Sequence, residues 1–318
     1  MMNRRNALGM IGATVAGIAA GDSPAQPPIA LPSPPSTPPS SSSGSKILMR
    51  PIPSSGELTP VIGLGTWQTF DVGPSAAERA PLDAVLREFA GMGGKLIDSS
   101  PMYGTSETVA GDLIAKNGLR QKLFIATKVW TSGKAAGMRQ MEDSMRKLQA
   151  RPIDLIQVHN LLDVEAHLDT LRDWKRQGLV RHIGVTHYTA SAHEAVGRVI
   201  AAQPVDFIQI NYSVGEREAE QQLLPFARER GIAVIANRPY AGGELLRRLR
   251  SKPLPPWAAD IDCSSWAQLL LKFVVSHPAM TCAIPATAKV EHLRENMQAG
   301  YGRMPDAKMR GLIAAQAS

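Results

Sequence analysis

Three apolar runs in the first half of the chain end on side chains that a buried strand does not need. Lys95-Leu96-Ile97 runs into Asp98, Phe124-Ile125-Ala126-Thr127 into Lys128, and Leu155-Ile156-Gln157-Val158 into His159. The separations are 30 and 31 residues, one strand–helix unit each. A carboxylate and an ammonium are costly to bury unless they pair, so Asp98 and Lys128 are expected to meet. Any one of these residues alone would pass as part of a structural ion pair or as a packed histidine. Three at successive strand ends point to a shared site. Just beyond the first run, the Pro- and Gly-containing turn at 98–107 places Tyr103 above the strand end. A free phenol, with a pKa near 10, is a poor acid and a poor base at neutral pH. A cation about 4 Å away, at an effective dielectric near 20, contributes ~4 kcal/mol, or about three pKa units, which burial partly opposes. The combination suggests a usable proton donor and acceptor.

Such side chains need a scaffold that gathers successive strand ends, and the rest of the chain reads as one. Short apolar runs at 61–65, 95–98, 123–128, 155–159, 182–186, 207–211, 233–236 and 282–285 alternate with amphipathic stretches. The stretches fall at 76–92, 106–116, 139–148, 166–177, 192–202, 218–230, 264–276 and 290–299. Near-continuous apolar runs mark parallel strands covered on both faces. Gly118, Gly178 and Gly231 stand at helix ends. Eight such units predict a closed parallel barrel, the (β/α)8 TIM barrel, whose active sites lie at the C-terminal ends of the strands. The competing doubly wound sheet usually opens with a Gly-rich dinucleotide turn. Here Gly63-Leu64-Gly65 leads into Thr66-Trp67-Gln68 instead. Residues 47–58, with Pro53, Ser54, Ser55 and Gly56 as the turn, read as an additional N-terminal β-hairpin placed to plug the barrel floor.

Composition removes several alternatives. A length of 318 residues and 44% apolar content support a sizeable core. The net charge of +7 raises nucleic acid as a partner, but Lys and Arg are scattered and aromatics are only 5%, so no stacking surface accompanies the charge. Two cysteines, Cys263 and Cys282, exclude a disulfide scaffold and a four-cysteine zinc module, and are expected to pack as small apolar side chains. No metal is expected, since His159 has no partner at ligand spacing and His182, His187 and His193 form no ligand motif. No membrane span is expected, because no run of 18 apolar residues occurs.

The first 45 residues differ from the rest. Asn3-Arg4-Arg5-Asn6 precedes a mildly apolar Gly/Ala-rich run over 7–20, and 22–45 holds eight Pro and eight Ser. A basic start, a short apolar stretch and small residues describe a signal peptide, and the paired arginines resemble a twin-arginine export signal. The expected organisation is a signal peptide over 1–21, a disordered Pro/Ser-rich linker over 22–45 and the barrel over 46–318. The expected location is the bacterial periplasm, reached through the twin-arginine translocase. A cytoplasmic protein with a disordered N-terminus is the alternative.

Gly63-Leu64-Gly65-Thr66-Trp67, 98–107, Thr127-Lys128, 154–160, 181–186 and 284–296 together resemble the aldo-keto reductase superfamily, over about 58–300. The resemblance implies an NAD(P)(H)-dependent oxidoreductase that moves hydride between nicotinamide C4 and an aldehyde or ketone, or runs the reverse alcohol oxidation. It implies a catalytic tetrad of Asp98, Tyr103, Lys128 and His159. Tyr103 would protonate the developing alkoxide, Lys128 would lower the Tyr103 pKa, Asp98 would hold Lys128, and His159 would orient the carbonyl. Cofactor contacts carried over are Gly65, Thr66, Trp67, Asp98, Thr186, His187, Gln209, Asn237, Arg238, Ala286, Thr287, Lys289, His292, Glu295 and Asn296.

Some of these depart from the family pattern. Thr186-His187 stands where Ser-Asn is usual, Asn237-Arg238 where an aromatic often stacks, and Ala286 and His292 where Lys and Arg are frequent. Arg238 would stack on the nicotinamide or contact pyrophosphate. Thr287 and Lys289 are expected to bind a 2′-phosphate, which favours NADP(H) over NAD(H). Trp67, Met102, Trp130 and His159 are expected to line an apolar substrate pocket, and the loop bearing Trp257 to influence substrate choice. A redox-sensing or regulatory nicotinamide-binding barrel with little turnover is the main competing reading. A carbohydrate-binding barrel would leave the Lys128–Tyr103 pairing unexplained. The expected state is a monomer or a small homo-oligomer.

Overall fold

A computed structural model describes residues 46–317; the expected signal peptide and linker lie outside the described residues. The described chain opens with an antiparallel hairpin, β1 (Met49–Pro51) and β2 (Leu58–Pro60), in which Met49 pairs with Pro60 and Pro51 with Leu58. Its turn closes through Gly56 at φ +71°, a conformation that glycine adopts without strain. The hairpin does plug the floor: Ile52 is fully buried in one cluster with Leu96, Phe124, Leu155, Phe207 and Ile235.

Eight parallel strands follow: β3 (Leu64–Gly65), β4 (Leu96–Asp98), β5 (Phe124–Val129), β6 (Ile153–His159), β7 (Val180–Thr186), β8 (Phe207–Asn211), β9 (Ala233–Asn237) and β10 (Cys282–Ala283). Each pairs with the next in chain order. The sheet curls back on itself, and the isolated bridges Ile62–Ala283 and Gly65–Ala286 join its two edges into a nearly closed (β/α)8 barrel. A Cβ on Gly65 would stand 2.8 Å from the Ile284 carbonyl, so only glycine permits this closure. Side chains two residues apart on a strand share a face. The apolar interior at Leu96, Ala126, Leu155 and Phe207 therefore continues upward as Asp98, Lys128, Gln157 and Gln209.

The outer ring comprises α1 (Ala76–Gly91), α2 (Ser106–Lys116), α3 (Lys134–Lys147), α4 (Val164–Arg176), α5 (His193–Ala202), α6 (Leu223–Glu229), α7 (Glu244–Leu249), α8 (Trp266–Val275), α9 (Val290–Gln298) and α10 (Ala307–Ala317). Ser75 and Glu78 form a capping box at the start of α1: the Glu78 amide donates to Ser75 Oγ at 3.3 Å, and the Ser75 hydroxyl to Glu78 Oε2 at 2.5 Å. Three departures from the sequence reading have local causes. The stretch read as one helix at 218–230 splits into a 3-10 turn (Glu218–Glu220) and α6, because Gln222 leaves the helical region and Pro225, lacking an N–H, fits only the first turn. Helix α3 begins at Lys134 rather than 139, directly after Gly133 at φ +85°. Helix α10 has no apolar stripe to announce it. It is held by Arg310, which lies 4.2 Å over the Phe273 ring and donates to Tyr212 Oη at 2.7 Å. Cys263 and Cys282 are buried and unbridged, as expected.

Candidate active site

The ends of β4, β5 and β6 bring their polar side chains together at the top of the barrel. Lys128 Nζ donates to Asp98 Oδ2 at 2.6 Å and to the Ser99 carbonyl at 2.7 Å, with Lys128 only 1% and Asp98 2% exposed. Gln209 Nε2 donates to the other Asp98 oxygen at 2.8 Å, and Gln157 Nε2 approaches it at 3.5 Å. Asp98 is thus fixed from three strands, and the buried ammonium has a stationary counter-ion. The Lys128 nitrogen lies 5.0 Å from the centre of the Tyr103 ring. Tyr103 stands edge-on to His159, with ring centroids 6.5 Å apart at 86°.

The Tyr103 loop is held from outside the barrel. Gly104 adopts φ +57°, and a Cβ there would overlap the Asp71 carboxylate. Asp71 Oδ1 accepts from the Thr105 amide at 2.9 Å and from its hydroxyl at 3.0 Å. Below, the buried Glu107 accepts from Thr127 Oγ1 at 2.5 Å and from Ser144 Oγ at 3.1 Å. That carboxyl ties α2 to α3 and to the residue preceding Lys128.

Electrostatics refine the sequence reading. Burial raises the Tyr103 pKa; the Lys128 ammonium pulls it down and Asp98 pushes it up, and the net direction is upward from 10. The expected lowering by Lys128 is outweighed by desolvation, so the phenol holds its proton at neutral pH and is placed to donate it. Burial also works against the Lys128 ammonium, but Asp98 and then Tyr103 outweigh it, and its pKa is raised. His159 is pushed down to about 3, first by burial, then by Lys128 and His187. Its imidazole is therefore neutral and offers one N–H as a hydrogen-bond donor.

These residues sit at the base of a cavity of about 1000 Å³ that runs from Trp67, Tyr103 and His159 past Thr186, Gln209, Asn237 and Arg238 to Thr287, His292, Glu295 and Asn296. Gly65, Thr66, Asp98 and Ala286 also line it. Thr186 donates to Gln209 Oε1 at 3.3 Å, so Gln209 is already oriented on both ends of its amide. Tyr240 likewise donates to Asn296 Oδ1 at 2.6 Å. Buried polar atoms without partners among the described residues include His159 Nδ1, Asn160 Oδ1, Asn237 Oδ1 and Arg238 Nε, all on residues lining this cavity. A long, polar, anionic ligand of dinucleotide type would satisfy such a wall, so the residues present fit a nicotinamide dinucleotide.

Two expected cofactor contacts are not brought here. The ring of His187 stacks on Tyr188 (5.6 Å, 11°) and its Nδ1 accepts from the Thr189 amide at 3.3 Å. It is not among the lining residues; its carbonyl accepts from Asn237 Nδ2 at 3.3 Å, and its imidazole reaches the site through its electrostatic effect on His159. Lys289 is not among the residues lining the cavity; it borders an adjoining depression with Pro81 and Ala84 of α1, which shares His292 with the cavity, and its amide donates to Thr287 Oγ1 at 3.1 Å.

Trp67, Met102 and Trp130 do line the cavity mouth, joined by Tyr188; the four are between 37% and 49% exposed. Trp257 is not a lining residue, whereas Trp266 at the start of α8 is. The sequence reading also missed Gln157, Asn160, Tyr240 and Arg250. Gln157 carried a usable signal, since it precedes His159 by two residues and so shares its face. Asp71 and Tyr188 carried none.

Comparison with known proteins gives the same picture. The Aldo/keto reductase family matches residues 61–315. The chain is 30% identical over 250 residues to methylglyoxal reductase YeaE of Escherichia coli, covering 76% of this chain and 86% of that one. An aldo/keto reductase from Klebsiella pneumoniae, crystallised with NADP and acetate, superposes with a TM-score of 0.70 at 28% identity, covering 82% of this chain and 92% of that one. An aldo-keto reductase from Bacillus halodurans shares the fold at TM-score 0.69 and 21% identity.

Proposed function

The chain belongs to the aldo/keto reductase family, and from that premise we infer that its cavity is the cofactor and substrate site of an NADP(H)-dependent carbonyl oxidoreductase. The observation that carries this reading is the buried Lys128–Asp98 pair beneath Tyr103 at the base of the cavity. When bound, the nicotinamide supplies the hydride. The chain's own residues do the rest. Tyr103 Oη, kept protonated by its burial, donates to the carbonyl oxygen as charge develops there. The Lys128 ammonium, held by Asp98, stabilises the phenolate left behind. The neutral His159 donates to the same oxygen and fixes its position. Asn237, Gln209 and Thr186 would orient the nicotinamide amide, and Thr287, Glu295 and Asn296 would border the nucleoside end.

The rim of Trp67, Met102, Trp130 and Tyr188 carries no charge, which favours apolar aldehydes and ketones. The relative named for methylglyoxal puts small 2-oxoaldehydes on the same test panel. Following NADPH oxidation with such a panel tests the reading, and no turnover with any of them would overturn it. A regulatory barrel without turnover is not favoured, because the relatives are reductases.

Export through the twin-arginine translocase belongs to this proposal, and rests on Arg4-Arg5 and the run over 7–20. So does action as a monomer or small homo-oligomer. Fractionating cells that express the full chain, with and without Arg4→Lys and Arg5→Lys, tests export. Periplasmic protein lost on substitution supports it, and equal cytoplasmic protein in both contradicts it.

A further inference from the structure

We infer that Glu107 is a positioning residue for proton delivery: its carboxyl fixes Tyr103 against Lys128 from behind the barrel wall. The inference rests on the reading of the cavity as a reductase site, and concerns a buried acid to which that reading gives no part. Glu107 is only 1% exposed, in the layer between β5 and the helices α2 and α3. The fully buried residues of those three elements include Ile125, Val129, Val109, Ala110 and Met141, so the layer is otherwise largely apolar. A carboxyl taken out of water there is costly unless its oxygens are satisfied. Both are: Oε1 accepts from Thr127 Oγ1 at 2.5 Å and Oε2 from Ser144 Oγ at 3.1 Å, and both hydroxyl residues are themselves fully buried.

Its place in the chain supplies a function. Glu107 lies four residues beyond Tyr103, in the first turn of α2. The Tyr103 turn is short and closed: the Tyr103 amide donates to the Ser100 carbonyl and the Ser106 amide to the Tyr103 carbonyl, both at 3.0 Å. Whatever holds the start of α2 therefore holds the phenol. Thr105, at the N-cap, does not cap the helix, because its hydroxyl turns to Asp71 and to the Val72 carbonyl. On the other side of the tie, Thr127 immediately precedes Lys128. Successive strand residues face opposite ways, so Thr127 points to the helices while Lys128 points into the barrel. The Glu107–Thr127 bond is thus a direct link between the turn that carries the proton donor and the strand that carries its cation. It locks the approach of Lys128 Nζ to the Tyr103 ring, 5.0 Å from the centroid. The bond from Ser144 reaches α3 instead, so the roles of the two oxygens are separable by substitution.

Steady-state carbonyl reduction, NADPH titration by nicotinamide fluorescence and melting temperature, measured on the same variants of the full chain, test this. Thr127→Val keeps the shape of the side chain and removes the donor. It is expected to lower kcat at least tenfold, with KM and NADPH affinity within about twofold, because the phenol shifts while the pocket stays. Glu107→Ala should match it, and the double variant should lose no more than either alone, since the same bond is cut in all three. Glu107→Gln keeps an acceptor for Thr127 and is expected to restore kcat to within about threefold of the unsubstituted chain. Ser144→Ala, which cuts only the tie to α3, should lower the melting temperature but leave kcat within about twofold. Hydrogen exchange of the amides at 99–106 makes the same comparison without turnover: faster in Thr127→Val, unchanged in Ser144→Ala. Retention of kcat within about twofold by Thr127→Val, or an equal loss of kcat in Ser144→Ala, overturns the inference. An unsubstituted chain that reduces no carbonyl overturns the reductase reading instead, and the exchange comparison still decides whether the tie holds the Tyr103 turn.

Discussion

At the residue scale, Asp98, Lys128 and His159 were legible because each is out of place: a buried apolar strand that ends on a charge or an imidazole needs a reason. What the residues do to one another was not legible. The sign of the Tyr103 shift depends on how far its ring is buried, which only the folded loop sets, and burial wins. Two predictions belong here. Lys128→Met leaves Asp98 buried without its counter-ion, and is expected to cost about 3–5 kcal/mol of stability. Chemical denaturation measures this, and a loss below about 1 kcal/mol would show that the pair contributes little to the fold. His159, held down to about 3, should show no change of charge between pH 5 and 8 in the unliganded chain. An imidazole resonance that titrates near 6.5 would contradict the desolvated geometry.

At the element scale, strands were easier to read than their connections. Parallel strands announce themselves through apolar runs, whereas α7, at six residues, is too short to show a repeating pattern, and α10 lacks a stripe and is held through its own Arg310, packed on Phe273. The brace on the Tyr103 loop was equally hidden, because Asp71 lies on a different loop and belongs to no local pattern. That brace is testable. Gly104→Ala forces a side chain into the left-handed region and against Asp71, so the loop must shift. Turnover is expected to fall at least tenfold while nucleotide affinity stays within about twofold, because a displacement of about 1 Å at the acid costs rate and not cofactor contact. Equal losses in both would mean that the loop serves binding and not proton delivery.

At the scale of the whole molecule, the repeat of eight strand–helix units carried the fold, and the Gly65 closure and the Ile52 plug complete it. Stability should follow the histidines. Four of the seven, His159, His182, His187 and His277, are held below their usual value chiefly by burial, His277 to about 4. Unfolded, they take up protons near pH 6.5, so between about 6.5 and 4 the unfolded state binds more protons and stability falls as the pH is lowered. Glu107, raised by burial, opposes this with a single group. The melting temperature should therefore drop across that window, and a flat profile would contradict the burial assigned to these rings. The central claim is that Tyr103 delivers the proton in a site whose cofactor contacts lie elsewhere. It is tested most directly by comparing Tyr103→Phe with the unsubstituted chain, measuring NADPH affinity and carbonyl reduction on the same samples. The account predicts affinity within about twofold and turnover lower by at least 100-fold. Turnover retained by the phenylalanine variant would contradict it.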